Sequence, residues 1–157
     1  MRIRMLPAAA VIASFIAPAT WADTSANAKQ WSLSAIFHDR AAKSAIDAMR
    51  KGRALPAWVT KGGTESPAHT VSFEGHDVYV MGACKPHDCG SESIAILYDP
   101  QNKVMYGVLS VVGPRAGTER LTWLNIGGGN ESIDGKTILY AQLTGSLENH
   151  PGAFNYK

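Results

Sequence analysis

Residues 93–112 read SIAILYDPQNKVMYGVLSVV and predict two paired β-strands. Extended, mostly apolar segments occupy residues 93–99 and 103–112. Between them, Asp99-Pro100-Gln101-Asn102 has the composition of a tight turn, because Pro fixes one turn angle and Asp and Asn hydrogen-bond the neighbouring backbone. Two extended segments joined by so short a turn are expected to pair as antiparallel neighbours.

The same pattern extends to both sides of this hairpin. From His69 to Asn125 the hydrophobic period is two and turn signals recur at short intervals, which is typical of an antiparallel meander. Glu74-Gly75-His76 and residues 113–117 provide two further turns. Five strands are predicted, at residues 68–73, 77–83, 93–99, 103–112 and 119–125.

Helical periodicity flanks the meander. Apolar residues from Leu33 to Met49 recur at helical spacing and predict a helix over about residues 34–51. Residues 55–67 are rich in Pro and Gly and are interpreted as a connector in which Trp58 covers the core. Helical spacing returns after Ser132-Ile133-Asp134 and ends at His150-Pro151-Gly152. The predicted fold is α+β, a single domain in which a five-stranded antiparallel sheet packs with helices.

The first 22 residues have the features of a secretory signal peptide. Arg2 and Arg4 precede an apolar run from Met5 to Pro18, and Thr20-Trp21-Ala22 places small residues at positions −3 and −1 of a cleavage site. The run is too short for a membrane span. We therefore expect a mature domain of residues 23–157 without a membrane segment, periplasmic or secreted; an uncleaved amino-terminal anchor is the alternative.

The charge balance points away from nucleic acid. The chain has 15 Lys and Arg against 13 Asp and Glu, and removal of Arg2 and Arg4 with the leader would make the mature chain formally neutral. No basic stripe or basic–aromatic pattern of the kind used for nucleic-acid binding is recognisable.

The connection between predicted strands two and three carries the strongest functional signal. It reads Cys84-Lys85-Pro86-His87-Asp88-Cys89. Two cysteines this close in an exported protein are expected to form a disulfide. Closing so short a ring contributes only about 2 kcal/mol of stability. We therefore interpret the ring, further stiffened by proline, as a device that orders a protruding loop for a partner; a hairpin clip without a binding role is the alternative.

Catalytic and metal-binding interpretations of this loop fit less well. A thiol oxidoreductase normally has Cys-x-x-Cys at a helix start. A zinc site from Cys84, Cys89 and His87 would need reduced thiolates and a fourth ligand. No activated nucleophile or convincing carboxylate pair is recognisable, and Gly127-Gly128-Gly129 lacks the residues that accompany a phosphate-binding loop. No enzymatic activity, cofactor or metal is predicted.

The chain closely resembles the Ivy family, the bacterial periplasmic inhibitors of vertebrate (c-type) lysozyme. The loop from Cys84 to Cys89 matches the signature of that family. Four further segments are similar to the family: Leu55-Pro56-Ala57-Trp58-Val59-Thr60, Leu121-Thr122-Trp123-Leu124-Asn125, Ser132-Ile133-Asp134-Gly135-Lys136, and residues 143–157. The leader, the turn at 113–118 and the glycine run at 127–129 lie outside this resemblance.

The resemblance implies a function and a site. It implies that the loop enters the lysozyme active-site cleft, that His87 contacts the two catalytic carboxylates, and that Lys85 and Asp88 orient the loop or contact the cleft rim. Peptidoglycan would thereby be protected. It also allows a homodimer. Binding of the cell's own lytic transglycosylases is the alternative, and an enzyme acting on cell-wall glycan is a more distant one.

Overall fold

The structure, a computed structural model, describes residues 31–129 and 131–156. The predicted signal peptide at residues 1–22 and its cleavage site lie outside the described residues. Within the described ranges, no helix combines the length and the apolar character that crossing a membrane requires.

Five antiparallel strands form one sheet, in which each strand pairs with its neighbours in chain order. This confirms the predicted meander, and four of the strands begin and end within a residue of the prediction. The strands are β1 (Thr64–Phe73), β2 (His76–Cys84), β3 (Glu92–Asp99), β4 (Val104–Val112) and β5 (Glu119–Leu124).

Strand β1 begins four residues earlier than predicted, within the segment that was interpreted as a connector. Pro67 therefore lies inside a strand, although Pro cannot donate a ladder hydrogen bond. The structure accommodates it in two ways: β1 is an edge strand, and its register with β2 shifts between Ser66 and His69. A bulge on an edge strand is one of the few sheet positions that tolerate Pro.

Helices cover both faces of the sheet. In β3, Ile94, Ile96 and Tyr98 pack on one face, and Ala95 and Leu97 pack on the other. The first face is covered by α1 (Leu33–His38), α2 (Lys43–Arg50) and α3 (Ala57–Lys61), and the second by α4 (Glu131–Thr144) and α5 (Ser146–Asn149). Residues 94–98 of β3 are buried on both faces, and this part of the strand accordingly has an uninterrupted run of apolar and aromatic residues. The predicted sheet packed with helices is confirmed.

The single helix predicted at residues 34–51 is wrong, since α1 and α2 are separate. Asp39 adopts an extended conformation with φ −80° and ψ 120°, and its Oδ1 accepts a hydrogen bond from the Ala41 amide at 2.7 Å. Such local side-chain bonds compete with helical hydrogen bonding. The carboxyl-terminal helix is likewise interrupted, at Gly145, whose φ is +75°. A 3₁₀ turn at Pro151–Phe154 follows α5, close to the predicted stop.

Because neighbouring strands are antiparallel, successive connections lie at opposite ends of the sheet. The loop between Cys84 and Glu92 and the turn between Val112 and Glu119 lie at one end, here called the loop end. The turns that follow Phe73 and Asp99 lie at the other, here called the turn end. The predicted functional segment, residues 84–89, therefore connects β2 to β3 at the loop end of the sheet.

Candidate functional site

The disulfide loop leaves β2 at Cys84 and returns to β3 at Glu92. Cys84 and Cys89 form a disulfide with Cα atoms 4.7 Å apart, which confirms the predicted pairing. The Lys85 amide donates to the Glu92 carbonyl at 3.0 Å and extends the ladder one residue beyond the strands. The loop is thus closed twice at its base, covalently and by the backbone.

A type II β-turn presents His87. The Asp88 amide donates to the Lys85 carbonyl at 3.0 Å, which closes a four-residue turn, and His87 has a φ of +62°. Pro86 precedes it, and Pro is restricted to negative φ. A negative φ followed by a positive one at the two central positions defines a type II turn, with Pro at its favoured place. His87 therefore lies at the second corner of the turn.

The position of His87 is unusual for a residue that has a side chain. The left-handed region costs an L-residue about 1–2 kcal/mol and persists where surrounding structure enforces it. Here the disulfide and the turn hydrogen bond hold the backbone on both sides. His87 is exposed, and its ring makes no hydrogen bond or ion pair with any residue of 31–129 or 131–156. The imidazole is therefore free to contact a partner.

The charged residues of the loop contact one another. The Lys85 ammonium lies 3.2 Å from Asp88 Oδ2 and 3.1 Å from Glu92 Oε1. Asp88 Oδ2 also accepts from the Ser91 hydroxyl at 2.6 Å, and Glu92 Oε2 accepts from the Trp58 indole N–H at 2.9 Å. A chain of polar contacts therefore runs from the loop to Trp58, which packs against the core under α1–α3.

This network shifts the protonation equilibria of its members toward their charged forms. The pKa of Asp88 is lowered, first by the Ser91 hydroxyl and then by Lys85. The pKa of Glu92 is lowered, first by the Trp58 indole and then by Lys85. The pKa of Lys85 is raised by its hydrogen bonds to Glu92 and Asp88. All three groups are charged at neutral pH, so the network is intact there.

The predicted loop residues therefore have different structural positions. Lys85 and Asp88 form ion pairs within the loop, whereas the His87 side chain is exposed and makes no hydrogen bond or ion pair in the described part of the chain. Sequence reasoning missed Glu92 and the polar contact of Trp58. The signal for Glu92 was available, because extending the register Cys84↔Ser93 by one residue places Lys85 opposite Glu92, an attractive cross-strand charge pair.

The turn between β4 and β5 flanks the disulfide loop. The Val112 amide donates to the Ser91 carbonyl at 2.8 Å, which joins the end of β4 to the base of the loop. The turn that follows is closed by Gly113 N–H to the Thr118 carbonyl at 2.8 Å. This turn therefore begins beside the base of the disulfide loop.

The described residues of the loop do not form a zinc site. The two sulfurs are bonded to each other and cannot act as zinc thiolates. In the part of the chain that the structure describes, no cluster of three or more His, Cys, Asp or Glu side chains could hold a metal ion. The arrangement supplies one exposed imidazole on a rigid support.

The chain is similar in sequence to known proteins. The family model described as "Inhibitor of vertebrate lysozyme (Ivy)" matches residues 41–133, more than half of the chain and the whole disulfide loop. A protein named "Inhibitor of vertebrate lysozyme" from Escherichia coli (strain K12) is 48% identical over 125 residues, which cover 80% of this chain and 79% of that protein. A protein of the same name from Pseudomonas aeruginosa is 34% identical over 68 residues, 42% of this chain and 44% of that protein.

Proposed function

Because this chain belongs to the family of inhibitors of vertebrate lysozyme, we propose that it inhibits c-type lysozyme by inserting residues 84–89 into the active-site cleft. His87 would contact the catalytic carboxylates there. The observation that carries this proposal is the exposed, unpartnered imidazole of His87 at the corner of a disulfide-closed turn. The relatives from Escherichia coli and Pseudomonas aeruginosa are named as inhibitors of vertebrate lysozyme, which supports the assignment.

The chemistry of the target suits an imidazole. Lysozyme is a retaining glycosidase, and such enzymes hold two carboxyl groups about 5 Å apart, one protonated and one ionised. Protonated imidazole donates from both ring nitrogens and can therefore bridge two acceptors. Hydrogen bonds from a charged donor to a carboxylate are stronger than neutral ones. His87 would occupy the position of the scissile bond and exclude the glycan.

The structure of the loop supports tight binding because the loop is ordered before it binds. Ordering a free side chain or loop at an interface costs about 0.5–1.5 kcal/mol per immobilised side chain. The disulfide, the turn hydrogen bond and the Lys85 ion pairs reduce that cost. His87 has no hydrogen bond within the described residues that binding would break.

The proposal includes a location and a biological role. The predicted signal peptide would deliver the mature domain to the periplasm, where peptidoglycan is the substrate that lysozyme attacks. An inhibitor present there would protect the cell wall from a host enzyme. Fractionation of cells followed by mass determination of the mature amino terminus would test this location, and a chain that begins before Asp23 in the membrane fraction would contradict it.

The decisive experiment is a dose titration of the oxidised mature protein against c-type lysozyme in a cell-wall lysis assay. We expect stoichiometric inhibition that His87→Ala weakens by at least about 2 kcal/mol, or about 30-fold in the inhibition constant, as for a central interface residue. His38→Ala is the matched control, since His38 is an exposed histidine at the end of α1. That variant should inhibit like the unmodified protein.

Two outcomes of this titration and one further measurement distinguish the alternatives. Equal inhibition by the His87→Ala and unmodified proteins would reject insertion of His87 while keeping the inhibitor assignment. Absence of inhibition by the unmodified protein would reject the proposed target. Parallel binding measurements with lytic transglycosylases, which cleave the same bond, would show whether the loop serves that alternative class.

A further inference from the structure

An open groove with a volume of about 630 Å³ lies on the second face of the sheet, between β5 and α4. Its size is within the range of ligand pockets, about 300–1,000 Å³. Its apolar lining consists of three aromatic and two aliphatic residues, Trp123, Tyr140, Phe154, Leu121 and Ala141. In the described part of the chain, no residue of the disulfide loop lines this groove. The groove is therefore a surface separate from the loop that is proposed to bind lysozyme.

The helix that forms one wall of the groove, α4, is apolar on its outer face as well as on its core face. Ile138 and Leu139 are fully buried, whereas Tyr140 is 44% and Ile133 is 77% exposed. Ile133 and Tyr140 are seven residues apart, a spacing that places them on the same face of a helix. Helices that are apolar all round are typically covered on every side. The outer face of α4 therefore has the composition of a binding surface.

The three hydroxyl groups of threonine and serine that line the groove are engaged within the protein. The Thr137 hydroxyl donates to the Ile133 carbonyl at 2.9 Å, and the Thr144 hydroxyl donates to the Tyr140 carbonyl at 3.1 Å. The Ser146 hydroxyl lies 3.0 Å from the Thr144 hydroxyl. Each hydroxyl has a single proton to donate. A glycan, whose many oxygens need donors, is therefore a poor match for this groove.

Two donors of the groove remain available, the Lys136 ammonium and the Tyr140 phenol. Neither makes a hydrogen bond or ion pair with residues 31–129 or 131–156. Lys136 Nζ lies 5.5 Å from the centroid of the Trp123 ring, a cation–π contact, and no Asp or Glu is among the lining residues in the described ranges. Lys136 and Tyr140 are four residues apart on α4, so their side chains are neighbours on its surface. The groove therefore combines an apolar lining with one positive charge beside one hydroxyl donor.

We propose that this groove binds a fatty acid, whose carboxylate pairs with Lys136 and Tyr140 and whose alkyl chain lies along the aromatic residues. A carboxylate has two oxygen acceptors, so one oxygen can accept from the ammonium and the other from the phenol. Hydrogen bonds between an ammonium and a carboxylate are stronger than neutral ones. The alkyl chain would remove the apolar surface of Trp123, Tyr140 and Phe154 from water. A cationic amphiphile would instead be repelled by Lys136, so the groove selects the charge of the head group.

The first test is a titration of the ¹⁵N-labelled mature protein with dodecanoate below its micelle concentration, in which NMR follows the indole N–H resonances. We expect a saturable shift of the Trp123 resonance with a dissociation constant on the order of 100 μM. Trp58 is the internal reference, because its indole N–H is bonded to Glu92 and it does not line the groove. Dodecyltrimethylammonium, which has the same chain length and the opposite charge, should bind about ten-fold more weakly. Equal binding of the two amphiphiles, or absence of a Trp123 shift, would overturn the proposal.

The second test assigns the head-group contacts. Lys136→Gln should weaken dodecanoate binding about five-fold and Tyr140→Phe about three-fold, since each removes one donor. Lys61→Gln is the matched control, because Lys61 is an exposed lysine at the end of α3, on the other face of the sheet. Equal weakening by Lys136→Gln and Lys61→Gln would overturn the proposed site. A Trp123 shift that appears on raising the protein concentration without dodecanoate would assign the groove to a second copy of the chain and would also overturn it.

Discussion

The turn that follows β3 and the loop that follows β2 use similar residues at opposite ends of the sheet, with opposite results. The turn contains Asp99, Pro100 and a residue with positive φ, Lys103 at +55°; the loop contains Asp88, Pro86 and His87 at +62°. Each end also has a histidine. The difference lies in where the polar groups find their partners.

At the turn end, the aspartate and the histidine both make contacts within the fold. Asp99 is buried, and its Oδ1 accepts from the amides of Gln101 and Asn102 at 2.8 and 3.0 Å. Its Oδ2 accepts from Asn102 Nδ2 at 2.8 Å and lies 3.3 Å from His76 Nε2. The side chains of this turn therefore stabilise the hairpin.

At the loop end, the same residue types bind one another and leave the His87 side chain exposed. Asp88 is exposed and pairs with Lys85 and Ser91, and these contacts rigidify the loop around His87. The comparison indicates that a turn stabilises the fold when its polar side chains hydrogen-bond to the backbone. A turn whose polar side chains pair with one another, and which keeps one polar side chain exposed, is able to bind a partner.

The largest change in stability is expected from Asp99→Ala, which removes the side chain that hydrogen-bonds the backbone of the turn after β3. It removes a buried carboxylate that satisfies two backbone amides, and we expect the free energy of unfolding to fall by about 3 kcal/mol. Urea denaturation measures this loss, and titration of the folded fraction against lysozyme should show unchanged inhibition. A loss below about 1 kcal/mol would show that the Asp99 hydrogen bonds contribute little to stability, and would contradict the proposed difference between the two ends of the sheet.

A smaller change in stability is expected from the double variant Cys84→Ser and Cys89→Ser, which removes the disulfide that closes the loop. The free energy of unfolding should fall by about 2 kcal/mol, because the ring is short. The circular dichroism spectrum should remain that of the folded domain, while inhibition weakens because the loop must be ordered on binding. Global unfolding of the variant would show that the disulfide holds the sheet as well as the loop.

The smallest effect is expected from acid, which titrates the loop network. The lowered pKa values of Glu92 and Asp88 mean that their contribution is fully present above their ordinary values of 4.5 and 3.8 and is lost as the pH falls through the lowered ones. The raised pKa of Lys85 means that its contribution is lost only as the pH rises above 10.5. Loop anchoring should therefore be constant between about pH 5 and pH 10.

The indole N–H resonance of Trp58 reports this titration directly, because it donates to Glu92. Its chemical shift should change with a midpoint below pH 4.5, and Glu92→Gln should abolish the change. A midpoint at or above pH 4.5 would contradict the anchoring role of the network.

Local patterns predicted the strands well and the helix limits less well. Residues 93–112 pair as expected because apolar runs and turn chemistry act within a few residues of one another. The break between α1 and α2 was missed because one hydrogen bond from the Ala41 amide to Asp39 outweighs an uninterrupted apolar period. The early start of β1 was missed because Pro67 is tolerated only on an edge strand, and strand order is a property of the whole sheet.

The sequence by itself determined the meander, the disulfide and the family, because periodicity, cysteine spacing and motif similarity are local properties of the chain. Only the tertiary structure decided that Lys85 and Asp88 bind within the loop and His87 does not, that Trp58 reaches Glu92 across 34 positions, and that Lys136 lies over the Trp123 ring. The physical reason is distance along the chain: contacts between remote segments depend on how the helices pack on the sheet, which no short stretch of sequence encodes.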